Sequence, residues 1–289
     1  MTKRRNFTDE EIKDIINLYK QKIPRKHIAI KYKCTDKVIV RILEENHIEI
    51  KRFQTHITTK NRKYGINDYY FSLKNQQPNS AYILGILASD GCVASSQNQV
   101  YIELQREDKE LLEKINIELE NERPVKDYLN NSKFYENSKL YFFSKQIKDD
   151  LALYNIIPNK TAYNNDFLQN IKEEYEIDFI RGLFDGDGSI KWVNGSIAWQ
   201  IDSTSSKTLY HIQNILKKYD IETEVAEKKD KSIVNKKVYR IYCYNYQKCS
   251  KLYTLFYQKE NILFMKRKQK HFLELLLKYK THETSDPKN

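Results

Sequence analysis

Two aspartates, Asp90 and Asp187, each close an apolar segment, and the two segments resemble one another at a spacing of 97 residues. The first runs Ile83-Leu84-Gly85-Ile86-Leu87-Ala88-Ser89-Asp90-Gly91 and the second Ile180-Arg181-Gly182-Leu183-Phe184-Asp185-Gly186-Asp187-Gly188. Each reads as an apolar helix with small residues four apart: Gly85 and Ser89 in one, Gly182 and Gly186 in the other. That spacing sets both on one helix face. Two such faces can close to backbone contact, as small residues permit. A carboxylate in the last helical turn faces the negative end of the macrodipole, at a cost of about 0.3–1 kcal/mol. Packing the helices brings both carboxylates together, and like charges so close oppose one another unless a cation lies between them. Two locally unfavourable acids in symmetric positions mark a functional site. A few carboxylates completed by waters and phosphates is the habit of Mg2+, so the pair reads as a divalent-metal site. The glycines that follow, Gly91 and Gly188, are expected to cap their helices in the left-handed conformation.

Each nonamer is followed by the same order of elements. After the first come predicted strands at Cys92–Ala94 and Val100–Gln105, a helix at Asp108–Glu120, strands near Val125–Leu129 and Lys139–Phe143, and a helix at Lys145–Tyr154. After the second come strands at Ser189–Val193 and Ser196–Asp202, joined by the hairpin dipeptide Asn194-Gly195. A helix at Lys207–Tyr219, strands near Glu222–Glu227 and Val238–Asn245, and helices to about Tyr279 complete this half. An internal repeat of this kind predicts an α+β pair of pseudo-symmetric αββαββα halves, residues 79–170 and 171–280. The polar tail 281–289 is expected to be disordered.

The first fifty residues predict a small all-α domain. Residues 1–60 hold 15 of the 50 Lys/Arg and 8 of the 39 Asp/Glu, which is +7 of the net +11. Thr8 and Glu11 form a capping box ahead of Ile12, Ile15, Ile16 and Tyr19 at helical spacing. Pro24 suits the first turn of a second helix carrying Ile28, Ala29 and Tyr32. Thr35 or Asp36 caps a third, with Val38, Ile39, Ile42 and Leu43 on its buried side. This arrangement resembles a helix-turn-helix unit, with Ala29 at the helix crossing and Thr35, Lys37, Val38 and Arg41 near the groove-reading end. Lys33 stands where the turn favours Gly and can adopt that turn only at some strain. Residues 51–78 read as a basic, polar linker, in which Asp68-Tyr69-Tyr70-Phe71 forms a helical turn on the main domain.

Several classes are excluded. A hydrophobic fraction of 40% in 289 residues is enough for a core. No apolar run is long enough to span a membrane, and Met-Thr-Lys-Arg-Arg-Asn is no secretory signal. Cys34, Cys92, Cys243 and Cys249 are scattered with no CxxC, which fits a reducing, cytoplasmic setting. The histidines show no HxxxH, and no GxxxxGK loop appears, so no nucleotide cofactor is expected. A basic chain of this kind takes a polyanion as partner.

The two nonamers are similar to the LAGLIDADG motif, and residues from about 80 to 280 resemble a two-motif LAGLIDADG homing endonuclease. The resemblance implies a site-specific double-strand DNA endonuclease acting as a monomer, with motif helices at the central interface and strands forming a DNA-binding saddle. It implies that Asp90 and Asp187 bind Mg2+ and organise phosphodiester hydrolysis. Asp185 matches the motif's other acid, usually structural, where the first copy has Ala88. A lysine late in each half is implied near the site. Lys160 fits in the first half, and Lys268, with Lys266 as rival, in the second; the resemblance implies that Lys160 and Lys268 are catalytic, polarising the scissile phosphate or holding the attacking water, and that Lys266 contacts DNA. Asp108 and Ser203 fall where the family has water-positioning groups. Base readout is implied for polar strand residues: Gln99, Glu103, Gln105, Trp192, Asn194, Gln200, Lys237 and Arg240. The alternatives on the same fold are a non-cleaving DNA-binding regulator and an RNA-splicing maturase.

Overall fold

The computed structural model describes residues 7–21, 23, 25–48, 63–130, 135–228 and 237–285. The expectations for Pro24, for the linker over 51–62 and for the tail over 286–289 lie outside the described residues.

Near the N-terminus, α1 (Asp9–Lys20), α2 (Arg25–Lys31) and α3 (Asp36–Glu45) share a small core of their own. The Thr8 hydroxyl accepts from the Glu11 amide at 3.2 Å and the Glu11 carboxylate accepts from the Thr8 amide at 3.1 Å, so the capping box forms. Ile15, Ile28, Ala29, Tyr32, Ile39, Ile42 and Leu43 are buried, with Cys34 and Val38 packed against them. Val38 therefore belongs to this core and not to the exposed reading face with Thr35, Lys37 and Arg41. Lys33 turns the chain between α2 and α3 at φ 49, a left-handed conformation that crowds its Cβ. Lys33→Gly is expected to stabilise this bundle by about 1 kcal/mol. Slower hydrogen exchange of the Ile39 and Ile42 amides would register the gain, and unchanged exchange would refute it.

The main body repeats one arrangement twice. The first half comprises α4 (Pro78–Ser89), β1 (Gly91–Val93), β2 (Gln99–Gln105), α5 (Lys109–Glu118), β3 (Lys126–Asn130), β4 (Tyr135–Phe143) and α6 (Lys145–Leu153). The second comprises α7 (Glu176–Asp187), β5 (Gly188–Val193), β6 (Ser196–Ser203), α8 (Ser206–Lys217), β7 (Glu224–Lys228), β8 (Val238–Tyr244) and α9 (Tyr246–Tyr257), followed by α10 (Lys266–Ser285). Each half holds an antiparallel sheet, ordered β1-β2-β4-β3 and β5-β6-β8-β7. Strand alternation aims Val100, Ile102 and Leu104 of β2, and Ile197, Trp199 and Ile201 of β6, at the helices. Leu112 and Ile115 of α5 and Leu209 and Ile212 of α8 meet them from below, in one core that spans both halves. Asn194 at φ 49 and Gly195 at φ +80 make the β5–β6 hairpin turn, as the dipeptide predicts. Among the described residues no helix is long and apolar enough to cross a membrane.

The core takes over part of the predicted linker. Ile66, Tyr70 and Phe71 are buried in it, so the chain has joined the first half before residue 78. Apolar residues, not linker length, decide that boundary. At the other end α10 continues to Ser285, across the point where a disordered tail was expected to begin. Helical propagation adds one hydrogen bond per residue and needs no apolar residue to continue.

α4 and α7 cross at the centre. An ideal Cβ on Gly85 would lie 2.2 Å from the Phe179 carbonyl oxygen, and one on Gly182 would lie 2.0 Å from that of Tyr82. The small-residue faces therefore meet backbone to backbone. α4 is buried on every side from Ser80 to Ala88, which explains a helix without a polar face. α7 carries charge into the same core. Buried Arg181 holds the Asp178 carboxylate at 2.7 Å and donates through Nε to the Leu263 carbonyl at 3.1 Å.

Gly91 and Gly188 are not left-handed caps. Among the described residues the positive-φ glycine is Gly195, and Gly188 is extended at φ −76 and ψ 161. Glycine is required at 91 and 188 because the first strand leaves against its own motif helix. A Cβ at 91 would meet the Leu87 backbone at 2.6 Å, and one at 188 would meet the Phe184 ring at 2.1 Å.

Candidate active site

The crossing of α4 and α7 fixes the two acids. Asp90 is the C-terminal cap of α4, Asp187 is the last residue of α7, and each is followed at once by the first strand of its half. A Cβ on Gly186 would lie 2.9 Å from the Asp90 carboxylate and 1.9 Å from the Ser89 hydroxyl, so the second helix passes directly beside the first acid. Asp187 opens to solvent and Asp90 is half-buried. Surrounding protein strips water from the Asp187 carboxyl, and the charge of Asp90 adds to this, so its pKa is pushed up to about 7. Burial likewise raises Asp90. The donor set of the pair is two carboxylates, which leaves most of a metal's ligands to phosphate and water. That set fits Mg2+, which completes its shell from such sources. Among the described residues no cluster of three or more His, Cys, Asp or Glu could hold a metal without such help.

Two lysines stand behind the acids. Lys268, at the start of α10, donates from Nζ to the carbonyls of Phe184 at 2.7 Å, Gly186 at 2.9 Å and Gly188 at 2.6 Å. Lys160 is buried and donates to the Gly91 carbonyl. Both amines therefore sit at the carbonyl ends of the motif helices, where a cation is favoured, and both lower the pKa of Asp90 and Asp187. Burial pulls Lys268 down to about 8, against the pull of Asp185 and Asp90. Burial also lowers Lys160, opposed first by Asp187. The two lysines offset part of the macrodipole conflict at the acids, and the Asp187 carboxyl still stays raised. Lys266 is exposed and pairs with Glu110 at 2.7 Å.

Asp185 has the structural part expected of it. It is fully buried and accepts from the Tyr82 hydroxyl at 2.8 Å, the Tyr257 hydroxyl at 2.8 Å and the Met265 amide at 2.7 Å. Those bonds tie α4, α9 and the entry of α10 to α7, and so hold Lys268 in place. Asp108 is buried and is held by Arg267, with Nη2 to carboxylate at 2.8 Å. Ser203 receives the Ser205 amide at 3.1 Å and so braces the turn into α8. Sequence reasoning missed Arg267, although its charge beside Lys266 and Lys268 was a visible signal. It also missed Tyr82 and Tyr257, whose hydroxyls donate to Asp185.

The sheets sort the expected readout residues by face. Gln99, Glu103 and Gln105 alternate with buried Val100, Ile102 and Leu104, so they lie on the open face of the first sheet. Gln200 does the same in the second sheet. Arg240 is there too, with Nε and Nη2 on the Asp202 carboxylate at 2.6 Å and 2.8 Å. Asp202 lies opposite Arg240 in the strand register, and sequence reasoning missed that partnership because the register was undetermined. Lys237 is exposed and 3.4 Å from Glu227, and Asn194 sits in the hairpin turn. Trp192 does not belong to this set. It follows Ile190 on the core side of β5 and packs against Tyr279, with ring centroids 6.1 Å apart. One residue of strand parity separates it from the open face.

Two fused α+β halves, joined through helices that end in paired acids beside open antiparallel sheets, define the class of protein. Residues 77–123 and 174–269 match the LAGLIDADG-like domain. The chain belongs to the LAGLIDADG family. It is 30% identical over 157 residues to Uncharacterized protein MJ0314 of Methanocaldococcus jannaschii, a match covering 53% of this chain and 54% of that one. The chain thus spans about half the length of the curated relative it matches. Among solved structures it is similar to the LAGLIDADG homing endonuclease I-GzeII in complex with its DNA target. That likeness has a TM-score of 0.49 and 14% identity, over 72% of this chain and 91% of that one. Full-length WhiA from Thermatoga maritima is similar with a TM-score of 0.45 and 15% identity, over 74% of this chain and 66% of that one.

Proposed function

We propose that the chain is a site-specific double-strand DNA endonuclease of the homing type that requires a divalent cation. The supporting observation is the pair Asp90 and Asp187, two mutually repelling carboxylates held together at the tips of crossed helices and open to solvent at Asp187. Such a pair costs stability and is the kind of feature a functional site retains. A Mg2+ ion held by Asp90 and Asp187 supplies charge neutralisation at the phosphodiester when bound. Lys160 and Lys268 orient the helix ends that carry the acids. Gln105, Gln200 and Arg240 face the duplex from the open sheet faces. The two halves serve one strand each, so one chain suffices. The test is incubation of the full chain with DNA flanking its own gene, with Mg2+ or with EDTA. Cutting of both strands at one place in Mg2+ alone is expected, and uncut DNA in both conditions would refute the reading.

The N-terminal bundle enters this reading as a helix-turn-helix arm. Thr35, Lys37 and Arg41 are exposed around the start of α3, and residues 1–60, which include the bundle, hold +7 of the net charge of +11. Charge on such a helix adds phosphate contacts and steepens the fall of affinity with salt. Replacing Lys37 and Arg41 together with Ala is expected to lower the slope of log affinity against log salt by up to about 2. An unchanged slope would remove the arm from the interface.

One observation favours a second reading, a DNA-binding protein on this fold that does not cut. Lys160 and Lys268 have their amines on main-chain carbonyls, not directed at an open site. Binding of that DNA without cutting, with or without Mg2+, would select it.

A further inference from the structure

We infer that Phe143 and Tyr244 read thymine methyl groups at two pseudo-symmetric outer positions of the bound duplex. This deepens the DNA-binding reading above and rests on it.

Strand register places the two rings at the same point of each half. Gly91 directly follows Asp90 and pairs with Ile102, which pairs with Leu140. Gly188 directly follows Asp187 and pairs with Ile201, which pairs with Ile241. Leu140 and Ile241 therefore mark the level of the acids. Phe143 and Tyr244 each stand three residues beyond that level, about 10 Å outward at strand spacing, or roughly three base pairs along a duplex. Their chain neighbours Phe142 and Cys243 are buried, so both rings lie on the open face. They are 37% and 52% exposed, unusual for large rings in a sheet.

Each ring is also built in. Phe143 leans on Tyr141, with centroids 6.2 Å apart at 78°, and Tyr244 leans on Tyr242, at 5.3 Å and 60°. Each inner tyrosine is pinned at its hydroxyl by a residue near the start of the neighbouring edge strand. Arg123 donates to Tyr141 at 3.0 Å, and Tyr242 donates to Glu224 at 2.7 Å. The two pins differ in charge, yet the displayed aromatic and its buttress occur in both halves. A ring held this way loses little freedom on contact.

The chemistry narrows the occupant. Among the base edges of the major groove, the thymine C5 methyl is the apolar group, and apolar side chains read it by contact. Phe143 has no hydrogen-bonding group for any other edge. Arg123 already lies over its ring, 5.5 Å from the centroid. One face is therefore covered, which disfavours stacking of an extruded base and leaves side-on contact with a methyl.

The test selects bound duplexes from a randomised library with the full chain in EDTA, repeats the selection with Phe143→Ala and with Tyr244→Ala, and then replaces single thymines of the selected site by deoxyuridine. Thymine is expected at two outer positions related by the pseudo-dyad, with each variant relaxing one and leaving the other. Deoxyuridine at either position, which removes the methyl and touches no protein group, is expected to weaken binding about fourfold, the worth of one buried methyl. Unaltered preferences in both variants, or equal binding of the deoxyuridine duplex, would overturn the inference and leave DNA binding intact. Stronger retention of single-stranded oligonucleotides than of duplex would overturn it in favour of base stacking. A library that yields no preferred duplex would overturn both the inference and the reading beneath it.

Discussion

Asp187→Asn is expected to slow cutting of at least the strand its half serves by on the order of 10³-fold, and to raise the melting temperature of the protein in EDTA. The two effects have one cause. Asp187 is crowded by protein, repelled by Asp90 and placed at the negative end of α7, so its charge works against the folded state. Asparagine keeps the shape and removes the charge. The expected gain is about 1 kcal/mol, a rise of roughly 2–4 °C for a protein of this size. Asp90→Asn is expected to act alike. Mg2+ should raise the melting temperature of the parent, because it binds the folded pair, and leave that of Asp187→Asn nearly unchanged. Calorimetry in EDTA and in Mg2+ checks all of this without a known DNA target. A variant that melts below the parent in EDTA would mean the carboxylate is structural, as Asp185 is, and the site would have to be sought elsewhere.

That distinction between neighbouring acids was half legible in the sequence. The repeat at 97 residues made Asp90 and Asp187 equivalent and left Asp185 opposite Ala88, so one acid was singular and two were paired. Strand and helix order followed from period and turn residues. The elements lie within a few residues of their predicted ends, because α5, α8 and the inward-facing strand residues carry clean apolar spacing. Side-chain direction was less legible. A one-residue error in strand parity moves a side chain through the sheet, and Trp192 fell on the wrong side of that line. The lysines were legible as basic residues in the right segments. Their engagement with helix-end carbonyls was not, since it depends on how α10 and the segment at Lys160 fold back onto the motif helices. The glycines after the acids show a further limit: a glycine needed for space and one needed for positive φ look identical in a sequence.

Gly182→Ala is expected to destabilise the protein by about 3–5 kcal/mol, a fall of roughly 10 °C or more in melting temperature. The sign makes this informative. In an isolated helix the same change is favourable by about 1 kcal/mol, because alanine loses less backbone freedom than glycine. Here the added carbon would sit 2.0 Å from the Tyr82 carbonyl oxygen and 2.9 Å from its carbon, both backbone atoms that cannot turn aside. Relief requires α4 and α7 to part by more than an ångström. The gap would open in the most buried region of the molecule, between Tyr82, Ile86, Phe179 and Leu183. It would also shift Tyr82 from Asp185, leaving a buried carboxylate short of a donor. Gly195→Ala is the control. That glycine has nothing within 4 Å of the added carbon but lies at φ +80, so it is expected to lose about 1 kcal/mol through backbone strain alone. A clash at position 182 also pries the acid tips apart. Gly182→Ala should therefore lose the Mg2+-dependent rise in melting temperature that Gly195→Ala keeps. Parent-like melting of Gly182→Ala would mean that the two helices do not touch there, and the shared site at their tips would lose its geometry.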